Sequence, residues 1–455
     1  MVMNFKKYKL GEILNVTRGA SLSGEFYTTE GEYIRLTCGN FDYQNNCFKE
    51  NKSKDNIYYV GDFKSEFLMN KGDLITPLTE QAIGLLGSTA IIPESGKYIQ
   101  SQDIAKIVCR ENLLDKNFAF YLISSTVVKQ QLAAAAQQTK IRHTSPDKIK
   151  NCIVWIPELT EQKRIGKLLR TLDYKIELNR AINQNLEAMA KQLYDYWFVQ
   201  FDFPNEDGKP YKSSGGKMVW NEKLKREIPQ GWDNGMLIDI ANITMGQSPD
   251  GSSYNEVGEG MLFYQGSTDF GMRFPSVRQY TTAPSRFAKK GDILMSVRAP
   301  VGSINIANND CCIGRGLSAI NSKLGSMTHL YYILNDLRIA FEQRNAAGTT
   351  FGSITKEDLY SLPIIIPSHE VIRAFDKICS PMFDRQMILG EEIDILTKQR
   401  NELLPLLMNG QISVNSDLAM VYVLISTYKN ATTEYTSIAI TVIFIQKSET
   451  QIPLF

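Results

Sequence analysis

The chain has 455 residues, a hydrophobic fraction of 43% and a formal net charge of +1. This length exceeds one ordinary domain and indicates two globular units with connecting elements. The near-neutral charge argues against indiscriminate coating of a polyanion but leaves room for local basic patches. The sequence contains neither the roughly 18 consecutive apolar residues of a membrane helix nor a signal peptide at its N-terminus, so we expect a soluble, cytoplasmic protein.

Cysteine and histidine usage favours neither disulfides nor a metal site. The seven cysteines form no CxxC pair, and the three histidines are spread over the chain. We therefore expect buried free thiols, with disulfides as the minor alternative, and no zinc site.

The first predicted domain covers residues 1–158. Short β-prone runs punctuated by glycine and asparagine favour strands joined by loops. One helix is predicted over residues 116–136, whose alanine-rich end suits helix formation. A basic run at 137–150 is either a solvated surface or a nucleic-acid contact.

A long helix is predicted over residues 159–200. Its apolar positions alternate in steps of four and three, which is the heptad seam of a coiled coil. The seam consists of Ile165, Leu169, Leu172, Ile176, Asn179, Asn183, Leu186, Ala190, Leu193 and Trp197. A helix of this length with one apolar seam needs a partner helix. Residues 201–232, rich in Pro, Gly and Ser, then predict a linker.

The second predicted domain, residues 233–368, repeats the plan of the first. KGDIL at 290–294 echoes KGDLI at 71–75. HLYYIL at 329–334 echoes FAFYLI at 118–123. Its own basic run, at 285–298, leaves the same two alternatives open as the run in the first domain.

A second long helix is predicted over residues 369–410, with its seam displaced by 210 residues from the first. This seam consists of Phe375, Cys379, Met382, Gln386, Leu389, Ile393, Leu396, Arg400, Leu403 and Leu407. The polar seam residues Asn179, Asn183, Gln386 and Arg400 either fix the register when buried or face solvent where the seam frays.

The final segment, residues 411–455, forms an atypical tail without a heptad pattern. It has no counterpart after the first long helix. Its composition fits an added strand, a disordered tail or an aggregation-prone extension equally well.

The sequence does not support any of the catalytic motifs considered. Gly314-Arg315-Gly316 followed by Ala319 matches a dinucleotide-binding G-x-G-x-x-A, but the residues that follow do not open a long helix. We therefore predict a turn between strands at this position. The sequence contains no Walker A loop, HExxH motif or Gly-x-Ser-x-Gly elbow, which favours a binding subunit over an enzyme.

Several stretches, each weak alone, together carry a family resemblance. They are GDIL at 291–294, VRAPVG at 297–302, GTTF at 348–351, LPIIIP at 362–367, FDFP at 201–204, KSSGGKM at 212–218 and LMNGQI at 407–412. With the duplicated plan, their order resembles the specificity subunit of type I restriction-modification systems over residues 1–413.

The resemblance implies an α+β fold: two tandem mixed α/β target-recognition domains, separated by two long helices that pack as an antiparallel coiled coil. Each domain would read one half of a split DNA sequence, and the helices would fix the gap. The chain itself would be non-catalytic and carry no cofactor. The implied partners are double-stranded DNA, two modification subunits that bind S-adenosylmethionine and methylate adenine, and restriction subunits that use ATP and Mg2+.

Candidate DNA contacts are polar and basic residues on predicted loops. Arg, Lys, Asn and Gln read base edges, whereas Lys, Arg and hydroxyls contact phosphates. In the first domain the candidates are Arg18, Thr79, Gln81, Lys140, Arg142 and His143. In the second they are Gln247, Ser248, Gln265, Arg298, Arg315, Thr349 and Thr350. For any one of these, ordinary surface or turn duty stays open.

Two other functions stay open beside DNA recognition. One is a coiled-coil assembly scaffold without sequence-specific DNA binding. The other is a self-contained DNA-modifying enzyme with an unrecognised site. Selective binding of a bipartite sequence by the complex with a modification partner would exclude the scaffold, and methyl transfer by the isolated chain would favour the enzyme.

Overall fold

The computed structural model describes residues 4–52, 55–80, 84–135, 142–346 and 353–414, with Arg142 and residues 339–346 described by their backbone alone. The chain forms two compact units. The first consists of the described residues of 1–175 together with those of 396–455, and the second of the described residues of 176–395. Each unit therefore contains part of both long helices.

The first unit is built from short strands and four shorter helices, and the first long helix begins in it. Its strands are β1 (Lys6–Lys9), β2 (Leu14–Arg18), β3 (Tyr27–Thr28), β4 (Tyr33–Arg35), β5 (Phe41–Asp42), β6 (Cys47–Phe48), β7 (Tyr58–Tyr59), β8 (Leu74–Pro77), β9 (Thr79–Glu80), β10 (Ala90–Ile91), β11 (Tyr98–Ile99), β12 (Ile104–Cys109), β13 (Arg142–His143) and β14 (Ile153–Ile156). Its helices, in the described residues, are α1 (Leu10–Ile13), α2 (Lys116–Ile123), α3 (Thr126–Ala135), α4 (Pro146–Lys150) and the start of α5 (Leu159–Tyr194), together with the end of the second long helix.

The second unit has the same mixture of elements. Its strands are β15 (Met218–Asn221), β16 (Arg226–Pro229), β17 (Asp233–Met236), β18 (Ala241–Met245), β19 (Tyr254–Asn255), β20 (Met261–Tyr264), β21 (Gln279–Thr281), β22 (Phe287–Ala288), β23 (Ile293–Ser296), β24 (Ile304–Ile306), β25 (Cys311–Ile313), β26 (Leu317–Ser322) and β27 (Pro363–Ile366). Its helices are the rest of α5, α6 (Leu237–Ile240), α7 (Met327–Ala346), α8 (Lys356–Tyr360) and most of α9 (His369–Met408), whose residues from 396 onward belong to the first unit. A short π-helix, Asp195–Val199, follows α5.

One four-stranded sheet recurs in both units. Its strand order is β10-β8-β12-β2 in the first unit and β24-β23-β26-β18 in the second. In each case the six-residue strand, β12 or β26, lies between two antiparallel neighbours. The duplicated plan of the sequence is therefore a duplicated sheet.

The heptad seam predicted from the sequence pairs the long helices antiparallel. In the second unit, Asn179 Nδ2 donates to Glu392 Oε2 at 2.9 Å, and Asn183 Nδ2 donates to the Gln386 carbonyl at 3.3 Å. Rising residue numbers on α5 thus meet falling numbers on α9. The fold class inferred from the resemblance is confirmed.

The polar seam residues are buried rather than frayed into solvent. Asn179 is 1% exposed, Asn183 5%, Gln386 1% and Arg400 9%. Of the two alternatives that the sequence left open, a buried role in the seam applies to all four side chains, and exposure to solvent does not. Buried polar groups at such positions restrict the registers that a helix pair can adopt.

Each unit has its own apolar core. In the first, Phe118 and Phe120 of α2 pack with Ile165 of α5 and with Leu407 and Ile412 near the end of the described chain. In the second, the π-helix contributes aromatic side chains to a core that also includes α9. Across the described helices, none is both long and apolar enough to cross a membrane.

The single helix predicted over 116–136 is wrong in one respect, because it is two helices. α2 ends at Ile123 and α3 begins at Thr126. The Ser124 hydroxyl donates to the Phe120 carbonyl at 3.1 Å. Serine side chains that bond nearby backbone groups compete with helix continuation, which accounts for the break.

The segment predicted as a linker, 201–232, is an ordered part of the second unit. β15 and β16 pair as a hairpin. The Phe203 ring stacks on Tyr211 with centroids 4.7 Å apart and on Trp232 with centroids 5.0 Å apart. Aromatic packing of this kind stabilises a Pro- and Gly-rich segment that lacks long regular elements.

Candidate nucleic-acid interface

In the first unit, several predicted DNA contacts converge on the turn between β11 and β12. Arg18, the last residue of β2, is exposed, and its Nε donates to the Gln102 carbonyl at 2.7 Å. The next residue, Gly19, runs so close to this turn that a Cβ atom there would lie 2.3 Å from the Gln100 carbonyl oxygen. The glycine lets the end of β2 and the turn pack backbone to backbone.

The other contributors reach the same turn through the β9–β13 ladder. His143 pairs with Thr79 across these strands. The Thr79 hydroxyl, which is buried, donates to Asp103 Oδ1 at 3.2 Å and lies 3.3 Å from His143 Nδ1. Thr79 thus holds the turn in place, while His143 is exposed beside it. We call Arg18, Thr79, Gln102, Asp103 and His143 the first turn cluster.

Three DNA-contact candidates of the first domain have no described side chain. Gln81 and Lys140 lie outside the described residues, and Arg142 is described only as a backbone position of β13. In the nearby basic run, Lys148 Nζ donates to the Ala135 carbonyl at 3.0 Å. That lysine therefore caps helix α3 and does not join the first turn cluster.

In the second unit, the predicted contacts converge on the turn between β25 and β26. The Gln247 amide donates to the Ile313 carbonyl at 3.0 Å, and the Arg315 amide donates to the Ser248 hydroxyl at 3.3 Å. The structure confirms the predicted turn at 314–316.

Two further candidates flank this turn. A Cβ atom on Gly316 would lie 2.5 Å from the Gln265 carbonyl oxygen, so Gln265 is an immediate neighbour. Arg298 follows Val297, whose amide donates to the Gly316 carbonyl at 2.9 Å. We call Gln247, Ser248, Gln265, Arg298 and Arg315 the second turn cluster; all but Ser248 are exposed. Thr349 and Thr350 lie outside the described residues.

The two clusters are built on the same backbone. The Leu78 amide donates to the Asp103 carbonyl at 2.7 Å, just as the Val297 amide donates to the Gly316 carbonyl. The Thr144 amide donates to the Leu78 carbonyl at 2.8 Å, and the Ile354 amide to the Val297 carbonyl at 2.9 Å. The turn clusters therefore occupy the same place in the two repeats.

The glycine that precedes each cluster supports this equivalence. Gly246 follows β18 as Gly19 follows β2, and a Cβ atom on Gly246 would lie 2.1 Å from the Gly314 carbonyl oxygen. In both repeats, then, a glycine allows the first strand of the duplicated sheet to end against the turn.

Sequence reasoning missed Gln102, Asp103 and Ser353. Ser353 forms a β-bridge with Arg298. In the first unit His143 has the equivalent position, where it pairs with Thr79. These residues are far in sequence from their neighbours, so local patterns did not mark them. Aligning the two repeats on the 314–316 turn would have pointed to Gln102.

The basic run at 285–298 does not form one surface. Lys290 Nζ binds Glu391 of α9 at 2.8 Å, whereas Arg298 belongs to the second turn cluster. Within the described residues, no group of three or more His, Cys, Asp or Glu side chains is arranged to hold a metal ion. What the two clusters offer is exposed guanidinium, amide and imidazole groups, which suit hydrogen bonding to base edges and phosphates.

Comparison with known proteins identifies the family. The sequence model of the type I restriction modification DNA specificity domain matches residues 3–188 and 229–403. The chain is 30% identical to the MjaX type I restriction enzyme specificity subunit of Methanocaldococcus jannaschii, over 79% of this chain and 83% of that protein. It is 24% identical to the HindI specificity subunit of Haemophilus influenzae, over 69% of this chain and 81% of that protein.

A solved structure shares the fold. The S subunit of a type I restriction-modification system from M. genitalium matches with a TM-score of 0.59 at 17% identity, over 89% of this chain and 96% of that one. The matches of the family model on both repeats, together with the relative at 30% identity, settle the assignment. The chain belongs to the family of type I restriction-modification DNA specificity subunits.

Proposed function

We propose that this chain reads a bipartite duplex DNA target, with each turn cluster contacting one half-site. The proposal is supported by the placement of two polar clusters, each with several exposed side chains, on equivalent turns of a repeated sheet. A protein with two similar reading surfaces suits a target with two separated halves, because symmetry in the protein is matched by symmetry in the site. The names of its relatives, which are specificity subunits, support the same proposal.

In this proposal the chain supplies recognition and its partners supply the chemistry. Two modification subunits bind S-adenosylmethionine and methylate one adenine in each half-site. Restriction subunits, which use ATP and Mg2+, cleave the DNA. The chain itself is non-catalytic and holds no cofactor.

The long helices have a role of their own in the proposal. Both α5 and α9 contribute residues to each compact unit, and an α-helix adds a fixed 1.5 Å per residue. We propose that they set the gap between the half-sites. Inserting one heptad into each helix should lengthen the gap in the methylated motif, and an unchanged gap would contradict this role.

Sequencing the methylome of a host that lacks other adenine methyltransferases tests the proposal directly. The chain is co-expressed with its modification subunit, and we expect methylation of one split motif with two short defined halves and a fixed gap. Exchanging residues 1–158 for those of a relative should change one half only. Binding without preference for any bipartite sequence, checked by gel shift, would favour the scaffold, and methyl transfer by the isolated chain would favour a self-contained enzyme.

A further inference from the structure

The two turn clusters present different side chains from one equivalent position. In the first unit the Ile104 amide donates to the Ser101 carbonyl at 3.0 Å and closes a four-residue turn. In the second unit the Leu317 amide donates to the Gly314 carbonyl, also at 3.0 Å. Gln102 and Arg315 are therefore the second residues of matching turns.

In both units, hydrogen bonds to neighbouring side chains hold the backbone of the turn in place. The Gln102 carbonyl accepts from the Arg18 guanidinium, and the buried Gln100 side chain donates to the Thr17 carbonyl at 2.8 Å and to the Ile104 carbonyl at 3.0 Å. The Arg315 amide is held by Ser248. A side chain displayed from a fixed backbone loses less entropy when it binds, which favours its use in recognition.

The side chains themselves are available. Gln102 and Arg315 are exposed, and no hydrogen bond or ion pair within the described residues occupies the Gln102 amide or the Arg315 guanidinium. Their chemistry differs in one respect that matters for DNA. Glutamine forms two hydrogen bonds with N6 and N7 of adenine, whereas arginine forms two with O6 and N7 of guanine.

We infer that Gln102 and Arg315 are equivalent specificity-determining residues, Gln102 selecting adenine in one half-site and Arg315 selecting guanine in the other. This inference rests on the proposed function. The surroundings of each turn agree with it. The first turn continues with Asp103, whose carboxylate accepts from Thr79, whereas the second continues with Gly316 and lies beside a second exposed arginine, Arg298. The second cluster thus offers two guanidinium groups to a guanine-containing half-site.

Reciprocal substitutions test the inference in the complete complex with its modification subunit. For Arg315→Gln we expect one guanine of one half-site to be replaced by adenine or to become degenerate in the methylome. Methylation of the original target should fall roughly ten- to a hundred-fold. For Gln102→Arg we expect the converse change, adenine to guanine, in the other half-site. The gap and the unaltered half should stay the same in both variants.

Arg286→Gln is the matched control. Arg286 is an exposed arginine of the same unit that lies outside the second turn cluster, and this substitution removes the same charge. We expect it to weaken binding uniformly or not at all, with every base preference retained. Arg315→Lys adds a further check, because a single ammonium keeps the charge but lacks the guanidinium's fork, so discrimination at that guanine should weaken while other positions hold.

The outcomes separate the inference from the function on which it rests. If Arg315→Gln lowers methylation of all sequences equally and shifts no base preference, Arg315 is a phosphate contact and the inference is overturned. The same holds for Gln102→Arg if both half-sites stay unchanged. If the unaltered complex itself methylates no bipartite motif, it is the proposed function that fails.

Discussion

Both compact units bury polar side chains where the long helices meet, but they hold them in different ways. In the first unit, Arg400 Nη1 binds Asp173 Oδ1 at 2.9 Å, and the Tyr121 hydroxyl donates to the other oxygen of the same carboxylate. The Asp173 and Arg400 side chains are 8% and 10% exposed. This charge pair is closed off from solvent, with Arg170 Nη1 a more distant third member 3.9 Å from the same carboxylate, and burial makes the pair sensitive to the loss of either Asp173 or Arg400.

In the second unit the network where the helices meet joins one amide, Gln386, to the ion pair of Arg273 and Glu187, and it is partly open to solvent. Gln386 Nε2 donates to Glu187 Oε2 at 2.9 Å, and Arg273 donates to Gln386 Oε1 at 3.1 Å and to Glu187 at 3.3 Å. The Glu187 side chain is 32% exposed, so water can solvate this carboxylate when a partner is lost. A shared heptad pattern therefore does not determine how strongly each polar contact stabilises its unit.

Both networks also reach from the helix seam into the globular part of their unit. Tyr121 belongs to α2, and Arg273 lies in the loop before β21 and stacks against Phe383 at 4.8 Å. The polar networks of the seam therefore anchor the globular part of each unit to the helices, through α2 in the first unit and through a loop in the second, in addition to restricting the register.

The largest effect is expected from breaking the closed pair. Asp173→Ala leaves the Arg400 guanidinium buried without its carboxylate, which we expect to cost the first unit about 3–5 kcal/mol. Hydrogen exchange of the amides in α2 and α5 of the full chain measures the loss.

A matched double variant isolates the charge. Asp173→Leu combined with Arg400→Leu removes both partners, and we expect it to recover most of the stability because no buried charge is left unpaired. A loss below about 1 kcal/mol in Asp173→Ala would place the pair among the weak surface salt bridges and remove the contrast between the units.

The open network should give a smaller effect. We expect Arg273→Ala to destabilise the second unit by about 2–3 kcal/mol, because Gln386 loses a partner and Phe383 loses its cation–π contact. Urea unfolding followed by tryptophan fluorescence suits this unit if Trp155, which lies in the first unit, is replaced by Phe. Arg273→Met keeps most of the packing of the long side chain, so its loss of stability should lie between zero and that of Arg273→Ala. A cost equal to that of Asp173→Ala would mean that solvent access does not distinguish the networks.

The two units should also differ in how much stability they lose at acid pH. His329 stands where the first unit has Phe118, and it packs on Phe198 with ring centroids 4.6 Å apart. Burial lowers the pKa of His329 to about 3. The unfolded chain therefore binds one more proton than the folded chain below about pH 6.5, so stability falls as the pH falls through that value, by about 2 kcal/mol at pH 5.

His329→Phe tests the origin of this acid sensitivity. It places the first unit's side chain in the second unit, and we expect the difference in unfolding free energy between pH 7 and pH 5 to shrink by about 2 kcal/mol. The same urea titration at both pH values gives the answer. An undiminished pH dependence in this variant would assign the effect to other groups.

The smallest effects come from a pair of tyrosines at equivalent positions. The Tyr121 hydroxyl donates to Asp173, whereas the Tyr332 hydroxyl is buried without a hydrogen-bond partner among the described residues. We expect Tyr121→Phe to cost about 1–2 kcal/mol and Tyr332→Phe to be neutral or slightly stabilising, because it removes an unsatisfied polar atom. Thermal unfolding of both single variants measures this, and equal costs would contradict the assignment of the hydroxyl bonds.

The long helices and their seam were predictable from the sequence because helix geometry is local. A spacing of four and three identifies one face of a helix, so residues such as Leu169 and Leu389 were assigned to the seam, and both are buried. The partners of the polar seam residues were not predictable in this way. Arg273 is distant in sequence from Glu187 and Gln386, and nothing in its surroundings marks it as a helix contact.

The turn clusters show the same limit. Loop position and residue type were enough to propose Gln247, Gln265 and Arg298, because strand ends are where chains display polar side chains. Gln102 was missed because its importance depends on a turn that matches the one at 315. Only the paired sheets make that match visible, and pairing between distant strands carries little local signal.

The discontinuity of the first unit has a consequence for how the protein is made. Its core includes Leu407 and Ile412, and the Val414 amide donates to Glu161 at 3.2 Å. A ribosome synthesises these residues after the whole second unit, so the unit that begins first is completed last. A nonsense mutation near codon 396 would therefore strip the amino-terminal unit of its final helix segment while sparing all of residues 176–395.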